Sequence, residues 1–251
     1  MKHAKIAVIN LSGNVGKTTL ATNWLKASRP EAKLVSVEHY NASVATQITS
    51  AQAQEFSASQ FRDIFNELLM SDEVIIDVGA SNVIAFMEEL SRYKSAVREL
   101  DMIVVPTVPA EKQQKDTVKT VEWLSKLGFS NDKIRVVFNM YDGGESQLPP
   151  SYVYQLIHDY AASTGKGKAT FEPAIVIPFN EVFDLVTNKN IRELAEDRTD
   201  WKAKRTEAKQ AGDVAALEAA VIAEGDRDLA ITAQEALASA SDILFGKAAK
   251  K

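Results

Sequence analysis

One short stretch, Asn-Leu-Ser-Gly-Asn-Val-Gly-Lys-Thr-Thr at residues 10–19, limits the possible folds more than any other part of the sequence. An apolar run at 6–9 precedes it, and a helical pattern begins near Lys17. A strand, a glycine-containing loop and a helix in this order bring backbone amides and the positive end of a helix dipole to one place, which favours phosphate binding. The Gly-Lys-Thr at 16–18 matches the P-loop pattern, but the first glycine of that pattern would fall at Leu11. We therefore interpret the stretch as a variant P-loop.

Apolar segments alternate with amphipathic segments up to about residue 180. The pattern predicts strands at 5–10, 34–37, 73–78, 102–105, 134–139 and 174–178, and helices at 17–27, 61–70, 82–99, 110–127 and 152–161. This alternation predicts an α/β fold of the P-loop NTPase type, with a doubly wound, mostly parallel sheet and helices on both faces. Ligands of such sheets bind beyond the carboxyl ends of the strands. The weakly patterned polar stretch that ends near Gln60 is predicted to be a mobile switch region.

Composition narrows the class of protein. The absence of cysteine excludes disulfides and cysteine nucleophiles, and the net charge of −5 argues against nucleic-acid binding by the whole surface. No apolar run approaches the ~20 residues that span a bilayer, so we expect a soluble, cytoplasmic protein. We predict a nucleotide-binding domain at 1–196 and a helical C-terminal extension at 197–251 packed on the same domain, with Gly225 separating two helices.

Four residues at the ends of predicted strands and loops are candidates for phosphate and metal binding. We expect the Lys17 ammonium on the β- and γ-phosphates, and the Thr18 hydroxyl and Asp77 carboxylate on Mg²⁺. Gly79 could offer a backbone N–H to the γ-phosphate. The plainer alternatives are that Thr18 only caps the helix, and that Asp77 and Gly79 only form a turn. The predicted phosphate cradle comprises Ser12, Gly13, Asn14, Val15, Gly16, Lys17, Thr18 and Thr19.

The loop resembles the P-loop of the ParA/MinD-type deviant Walker ATPases. The segments at the ends of four predicted strands also resemble this family, namely 74–79, 104–106, 137–139 and 176–178. The resemblance covers about residues 4–190. Within this family, the sequence is most similar to the StbB-type plasmid stability proteins. It implies ATP or ADP as the ligand, an ATP-dependent homodimer, and a role in positioning plasmid DNA or division machinery.

The resemblance assigns further roles where the residues match. It implies that the Asn139 amide reads adenine and that Pro178 belongs to the loop covering the base; the alternative for Asn139 is a turn residue. Two departures concern catalysis. Where the family has a lysine that acts across the dimer, this sequence has Ser12. Where the family has the next glycine, it has Asn14. The family's Asp-x-Asp, which orients the attacking water, has no clear equivalent. Glu38 is the nearest acid and is either catalytic, on the Mg²⁺ side, or a solvated loop acid.

We accordingly predict an ATP-binding, partition-type protein for plasmid stability that acts as a nucleotide-gated dimerisation switch. Hydrolysis of ATP to ADP and phosphate would be weak or partner-stimulated, with Lys17 and Glu38 as the catalytic candidates. Two alternatives stay open: a regulatory module that binds nucleotide without hydrolysing it, and a dethiobiotin-synthetase-like ligase or kinase.

The C-terminal extension carries two segments with more than one interpretation. The basic segment at 201–209 could contact DNA phosphates or form a solvated helix face beside a tryptophan, and we favour the second. The apolar and lysine-containing tail at 243–251 could contact a membrane, or pack on the domain or on a partner, and we favour packing.

Overall fold

Seven strands form one sheet in a computed structural model that describes residues 4–38, 53–164, 171–185 and 190–246. The order across the sheet is β3-β2-β4-β1-β5-β6-β7, and every neighbouring pair is parallel. This arrangement confirms the predicted doubly wound α/β sheet. The strands are β1 (Lys5–Val8), β2 (Lys33–Val37), β3 (Ala53–Phe56), β4 (Val74–Val78), β5 (Met102–Thr107), β6 (Ile134–Tyr141) and β7 (Ile175–Pro178).

The central strands are buried on both faces, which explains their continuous apolar sequences. All residues of β4 and β5 are buried. The chain begins at β1 in the middle of the sheet, builds the β2 and β3 side, returns through β4, and then extends the sheet through β5 to β7. The carboxyl ends of β1, β4 and β5 are therefore adjacent, directly where the P-loop leaves β1.

Helices cover both faces of the sheet. The α1 helix (Lys17–Leu20) continues as a π-helical segment (Ala21–Lys26), and this region buries Leu20, Trp24 and Leu25 beside β4 and β2. The remaining helices of this part are α2 (Phe61–Met70), α3 (Val83–Arg92), α4 (Lys94–Glu99), α5 (Glu111–Leu127), α6 (Pro150–Val153) and α7 (Gln155–Thr164). Side chains of α2, α3, α4, α5 and α7 share one core with the other sheet face.

Two local predictions were wrong in this part of the chain. The predicted 82–99 helix is interrupted at Tyr93, whose ψ of 68° is not helical. The predicted mobile stretch contains a strand, since Ala53–Phe56 pairs with β2, followed by a 3₁₀ turn at Ala58–Gln60. A four-residue Ala-Gln-Glu-Phe strand has little intrinsic β preference, so its pairing with β2 decides its structure. Residues 39–52, the rest of the predicted switch region, lie outside the described part.

The chain forms two compact units, residues up to 179 together with 239 onward, and residues 180–238. The predicted boundary at 196 differs from this division because Val182, Ile191 and Leu194 pack with Ala230 and Ala233 in the second unit. The helices after 180 are α8 (Val182–Leu185), α9 (Ile191–Ala195), α10 (Trp201–Ala211) and α11 (Val214–Phe245).

The end of α11 belongs to the first unit and packs there. Leu244 is buried, the Trp24 indole donates to Ser241 Oγ at 2.9 Å, and the Arg29 guanidinium lies 4.4 Å from the centre of the Phe245 ring. These contacts support the packing interpretation for residues 243–245, whereas 247–251 lie outside the described part. In the portion of the chain that the structure describes, no helix has the length and apolar character needed to cross a membrane.

The predicted helix break at Gly225 is also wrong, because α11 runs through this residue and the break falls at Gly212. Gly212 has a φ of 68° and ends α10 in the left-handed conformation. A Cβ atom would meet nothing within 4 Å at either glycine, so only the backbone distinguishes the two positions.

This difference predicts opposite effects of one substitution within the same unit. We expect Gly212→Ala to destabilise the protein by about 1 kcal/mol, since alanine resists the left-handed region. Gly225→Ala should stabilise it by about 0.5–1 kcal/mol, since glycine is a poor interior helix residue. Urea denaturation followed by circular dichroism measures both, and equal shifts of the same sign would contradict the assignment of the two glycines.

Candidate functional site

The variant P-loop follows β1, and two of its residues have the left-handed backbone conformation that glycine favours. Gly16 has a φ of 82°, and Asn14 has a φ of 56°. Asparagine tolerates this left-handed region better than other residues with a Cβ atom. The replacement of glycine by Asn14 therefore preserves the local path of the loop. Gly16 is required for a second reason, because a Cβ atom there would overlap the Asn139 amide.

Lys17 extends across its own loop. Its Nζ donates to the Ser12 carbonyl at 2.7 Å, and the residue is 7% exposed. Burial lowers the pKa of Lys17, whereas the charges of Asp77 and Glu38 act to raise it. A buried ammonium of this kind is costly unless anionic groups compensate it. The loop therefore holds a cation ready for an anionic ligand.

Asp77 lies at the carboxyl end of β4, in register with Val8 of β1 and Ser36 of β2. It is 3% exposed, and burial raises its pKa to about 6, while a hydrogen bond from Thr18 and the charge of Lys17 act to lower it. Its Oδ1 has no hydrogen-bond partner among the described residues. The two predicted metal-binding residues, Thr18 and Asp77, thus lie close to each other, and one carboxylate oxygen is available to a cation.

Buried side-chain oxygens that lack a partner are concentrated at this edge of the sheet. In the described ranges they are Ser12 Oγ, Asp77 Oδ1, Asn82 Oδ1 and Thr107 Oγ1. These residues belong to, or closely follow, β1, β4 and β5, which are neighbours in the sheet. Buried polar atoms normally have partners, so such a concentration indicates a place where a ligand, an ion or ordered water completes the hydrogen bonds.

Glu38 and Gly79 lie against each other at the ends of β2 and β4. A Cβ atom on Gly79 would overlap the Glu38 carboxylate, and the charge of Glu38 acts to raise the pKa of Asp77. Glu38 therefore belongs to the site rather than to a solvated loop. The predicted γ-phosphate role of Gly79 is not supported by this geometry, because its N–H donates to the Val37 carbonyl at 3.0 Å. Glycine is needed here for the close approach of Glu38.

Ser12 does not present a side chain to solvent. It is 3% exposed, its N–H donates to Asn10 Oδ1 at 2.8 Å, and its carbonyl accepts from Lys17. The next two residues, Gly13 and Asn14, are exposed, and Val15 is buried. Position 12 therefore supplies no charge to a neighbouring molecule.

Asn139 lies inside β6, which continues to Tyr141 through an irregular register opposite β7. Its Nδ2 donates to the Val15 carbonyl at 3.0 Å, so the side chain contacts the P-loop backbone directly. Pro178 ends β7 opposite Tyr141 and is exposed. The two residues that the family resemblance assigns to the base thus lie on neighbouring strands, and base contact stays a prediction.

Sequence reasoning missed the residues that support the loop from outside. Asn10 and Leu11 are hydrogen-bonded to Thr117 and Thr120 of α5. The available signal was a pair of threonines, three residues apart, on the buried stripe of a helix. Such threonines resemble ordinary core residues until their hydrogen-bond partners are known.

The basic segment 201–209 forms α10, and part of its charge is neutralised within the second unit. Arg205 pairs with Glu224 at 2.7 Å, and Lys204 pairs with Glu207 at 3.7 Å. These pairs support the interpretation as a solvated helix face. Among the described residues, no group of three or more histidines, cysteines or acids is placed to hold a metal.

Comparison with known proteins gives the fold and no closer relationship. No protein-family model matches the sequence, and no curated protein matches it. Among solved structures, the MinC:MinD cell division complex of Aquifex aeolicus is 12% identical over 99% of this chain and 98% of that chain, with a TM-score of 0.51. The MinD cell division protein of Aquifex aeolicus is 12% identical over 99% of both chains, with a TM-score of 0.50. A plasmid partition protein of Borrelia burgdorferi is 12% identical over 71% of this chain and 91% of that chain, with a TM-score of 0.43.

The likeness to MinD extends over nearly the whole chain. At this level of identity it is a likeness of fold. The chain therefore has the P-loop α/β fold of the ParA/MinD-type ATPases.

Proposed function

We propose that this protein binds ATP and ADP with Mg²⁺ and acts as a ParA/MinD-type switch that dimerises on the triphosphate. The observation that carries the proposal is the buried carboxylate of Asp77, close to Thr18 and the Lys17 ammonium, whose Oδ1 has no hydrogen-bond partner among the described residues. A P-loop sequence alone could form an ordinary strand, turn and helix. The buried acid, which is costly in the absence of a cation, points to a ligand.

The chain's own residues have separate tasks in this proposal. Lys17 neutralises phosphate charge, and the amides of the cradle orient the phosphates. The Thr18 hydroxyl and Asp77 would hold Mg²⁺, which when bound would supply positive charge that offsets the charge of the phosphates. An all-protein metal cage is not needed for this ion, because Mg²⁺ in nucleotide sites keeps water and phosphate ligands. Base contact by Asn139 and Pro178 belongs to the same proposal.

Hydrolysis is proposed to be weak or partner-stimulated. The position of the family's trans-acting lysine holds Ser12, which is buried and supplies no charge to stabilise the transferring phosphoryl group. We propose that Glu38 orients the attacking water; the contact of its carboxylate with Gly79 and the effect of its charge on Asp77 support this role. The buried Ser12 favours the second candidate function equally well, a module that binds nucleotide and does not hydrolyse it.

The biological role in plasmid stability, with a partner protein or DNA, rests on the resemblance in the loop and strand ends. The proposed cytoplasmic location rests instead on the absence of a long apolar run in the sequence. MinD in the Aquifex complex is bound to a second protein, MinC, which illustrates that this fold can present a partner surface. Membrane contact by the tail at 243–251 is the less favoured alternative to packing.

Gel filtration with different nucleotides tests the switch. We expect the wild-type protein to elute as a dimer with Mg²⁺ and a non-hydrolysable ATP analogue, and as a monomer with ADP, because only the triphosphate would complete the site. Lys17→Ala should stay monomeric with both nucleotides. Elution that is the same with every nucleotide, despite measurable binding, would contradict the switch.

Phosphate release separates the two candidate functions. We expect slow release by the wild-type protein and none by Lys17→Ala, since the lysine neutralises the phosphate charge. Glu38→Gln should bind the nucleotide and release phosphate more slowly than the wild type. Equal rates for the wild type and Lys17→Ala, with and without DNA, would remove the ATPase and leave the binding module.

The raised pKa of Asp77 predicts how stability depends on pH without Mg²⁺. A folded-state pKa of about 6 lies above the ordinary value of 3.8, so the folded state binds the proton more tightly than the unfolded state. The contribution of Asp77 is favourable at low pH and is lost as the pH rises through about 6, a loss of about 3 kcal/mol. Asp77→Asn should therefore raise the Tm at pH 8 and reduce the dependence of Tm on pH.

The same substitution should remove the effect of Mg²⁺ on nucleotide affinity. In the wild type this effect should weaken below about pH 6, because the cation competes with the proton on Asp77. Asp72→Asn is the matched control, since Asp72 is exposed at the opposite end of β4. A Tm at pH 8 that is lowered by Asp77→Asn would contradict the costly buried carboxylate.

A further inference from the structure

Helix α5 buries an unusual mixture of side chains. Its buried residues are Gln114, Thr117, Thr120, Val121 and Leu124, which follow one helical stripe. The apolar members complete the core, but the two threonines are 0% exposed and occupy positions where an apolar residue would pack as well. Their hydroxyl groups therefore call for an explanation from their partners.

Each hydroxyl uses its single hydrogen within the helix. Thr117 Oγ1 donates to the Gln113 carbonyl at 2.8 Å, and Thr120 Oγ1 donates to the Asp116 carbonyl at 2.7 Å. A hydroxyl has one donor and two acceptor positions. Both threonines therefore face the rest of the protein as acceptors only, in fixed orientations.

The donors that they accept are the first residues of the P-loop. Asn10 Nδ2 donates to Thr117 Oγ1 at 2.7 Å, and the Leu11 N–H donates to Thr120 Oγ1 at 3.1 Å. Asn10 is fully buried, and Nδ2 also donates to the Pro106 carbonyl at 2.7 Å. The Asn10 Oδ1 accepts from the Ser12 N–H at 2.8 Å, so both polar atoms of the Asn10 side chain have hydrogen-bond partners.

These contacts connect α5 to the phosphate-binding lysine. Thr117 fixes Asn10, Asn10 fixes the Ser12 backbone, and the Ser12 carbonyl accepts from Lys17 Nζ at 2.7 Å. Thr120 holds the intervening Leu11 amide. The front half of the loop, which has lost the first glycine of the common pattern, is thus held by side chains of another element.

We propose that Thr117 and Thr120 are positioning residues that set the path of residues 10–12 and thereby place Lys17 for the nucleotide phosphates. This inference rests on the function proposed above and names residues that do not touch the nucleotide. Their effect would be on the conformation of the loop before the ligand arrives, since preorganisation reduces the cost of ordering on binding.

Valine and serine variants test the role of the hydroxyl groups. Valine keeps the branched shape and removes the acceptor, whereas serine keeps the acceptor. We expect Thr117→Val and Thr120→Val to bind Mg²⁺-ATP about tenfold more weakly, which corresponds to about 1.4 kcal/mol. Thr117→Ser and Thr120→Ser should bind as the wild type does. In nucleotide-free Thr120→Val, the Leu11 amide should exchange its hydrogen about tenfold faster than in the wild type.

The control is Ser125→Ala, because Ser125 on the same helix makes the same type of bond, to the Val121 carbonyl at 2.9 Å, and lies beyond the loop contacts. It should leave affinity and Leu11 exchange unchanged. If a valine variant does not fold, alanine at that position is measured instead. Wild-type affinity and wild-type Leu11 exchange in the folded variants would overturn the positioning role. A wild-type protein that fails to bind Mg²⁺-ATP would overturn the proposed function, and faster Leu11 exchange would then still support anchoring of the loop.

Discussion

The structure depends on a carboxylate buried at the carboxyl end of a central strand. Asp77 belongs to β4, is 3% exposed and has one oxygen that finds no partner in the described part of the chain. Burial of an acid in this way opposes folding, because ionisation in a low-dielectric environment is costly. Lys17 and Thr18 offset part of that cost, and an Mg²⁺ ion would offset more. The chemistry of the site follows from this local charge balance.

The sheet order explains why these groups meet. Because β1 lies between β4 and β5, the loop that leaves β1 passes between an acid on one side and the Pro106 backbone on the other. Helix α5 then holds the loop from outside, and Asn139 of β6 holds it near Gly16. Three elements that are distant from the loop in sequence thus support it: β5, α5 and β6. This external support is consistent with a loop in which other residues replace glycines of the common pattern.

The sequence permits prediction where one strong local pattern exists. Continuous Val and Ile runs identify the central strands, and the Gly-Lys-Thr at 16–18 identifies the phosphate loop. Prediction fails where long-range contacts decide the structure. The strand at 53–56 exists because it pairs with β2, and Gly79 is explained by the approach of Glu38. The role of Thr117 depends on a hydrogen bond to a residue 107 positions away, which no local pattern reveals.

The central claim is that Lys17, Thr18 and Asp77 form a nucleotide and Mg²⁺ site. Calorimetric titration of the wild-type protein and Lys17→Ala with ATP, each with and without Mg²⁺, tests it most directly. The account predicts one ATP bound per wild-type chain, tighter binding with Mg²⁺, and loss of binding in a folded Lys17→Ala protein. Binding of equal strength by the two proteins, or no binding by the wild type, would contradict it.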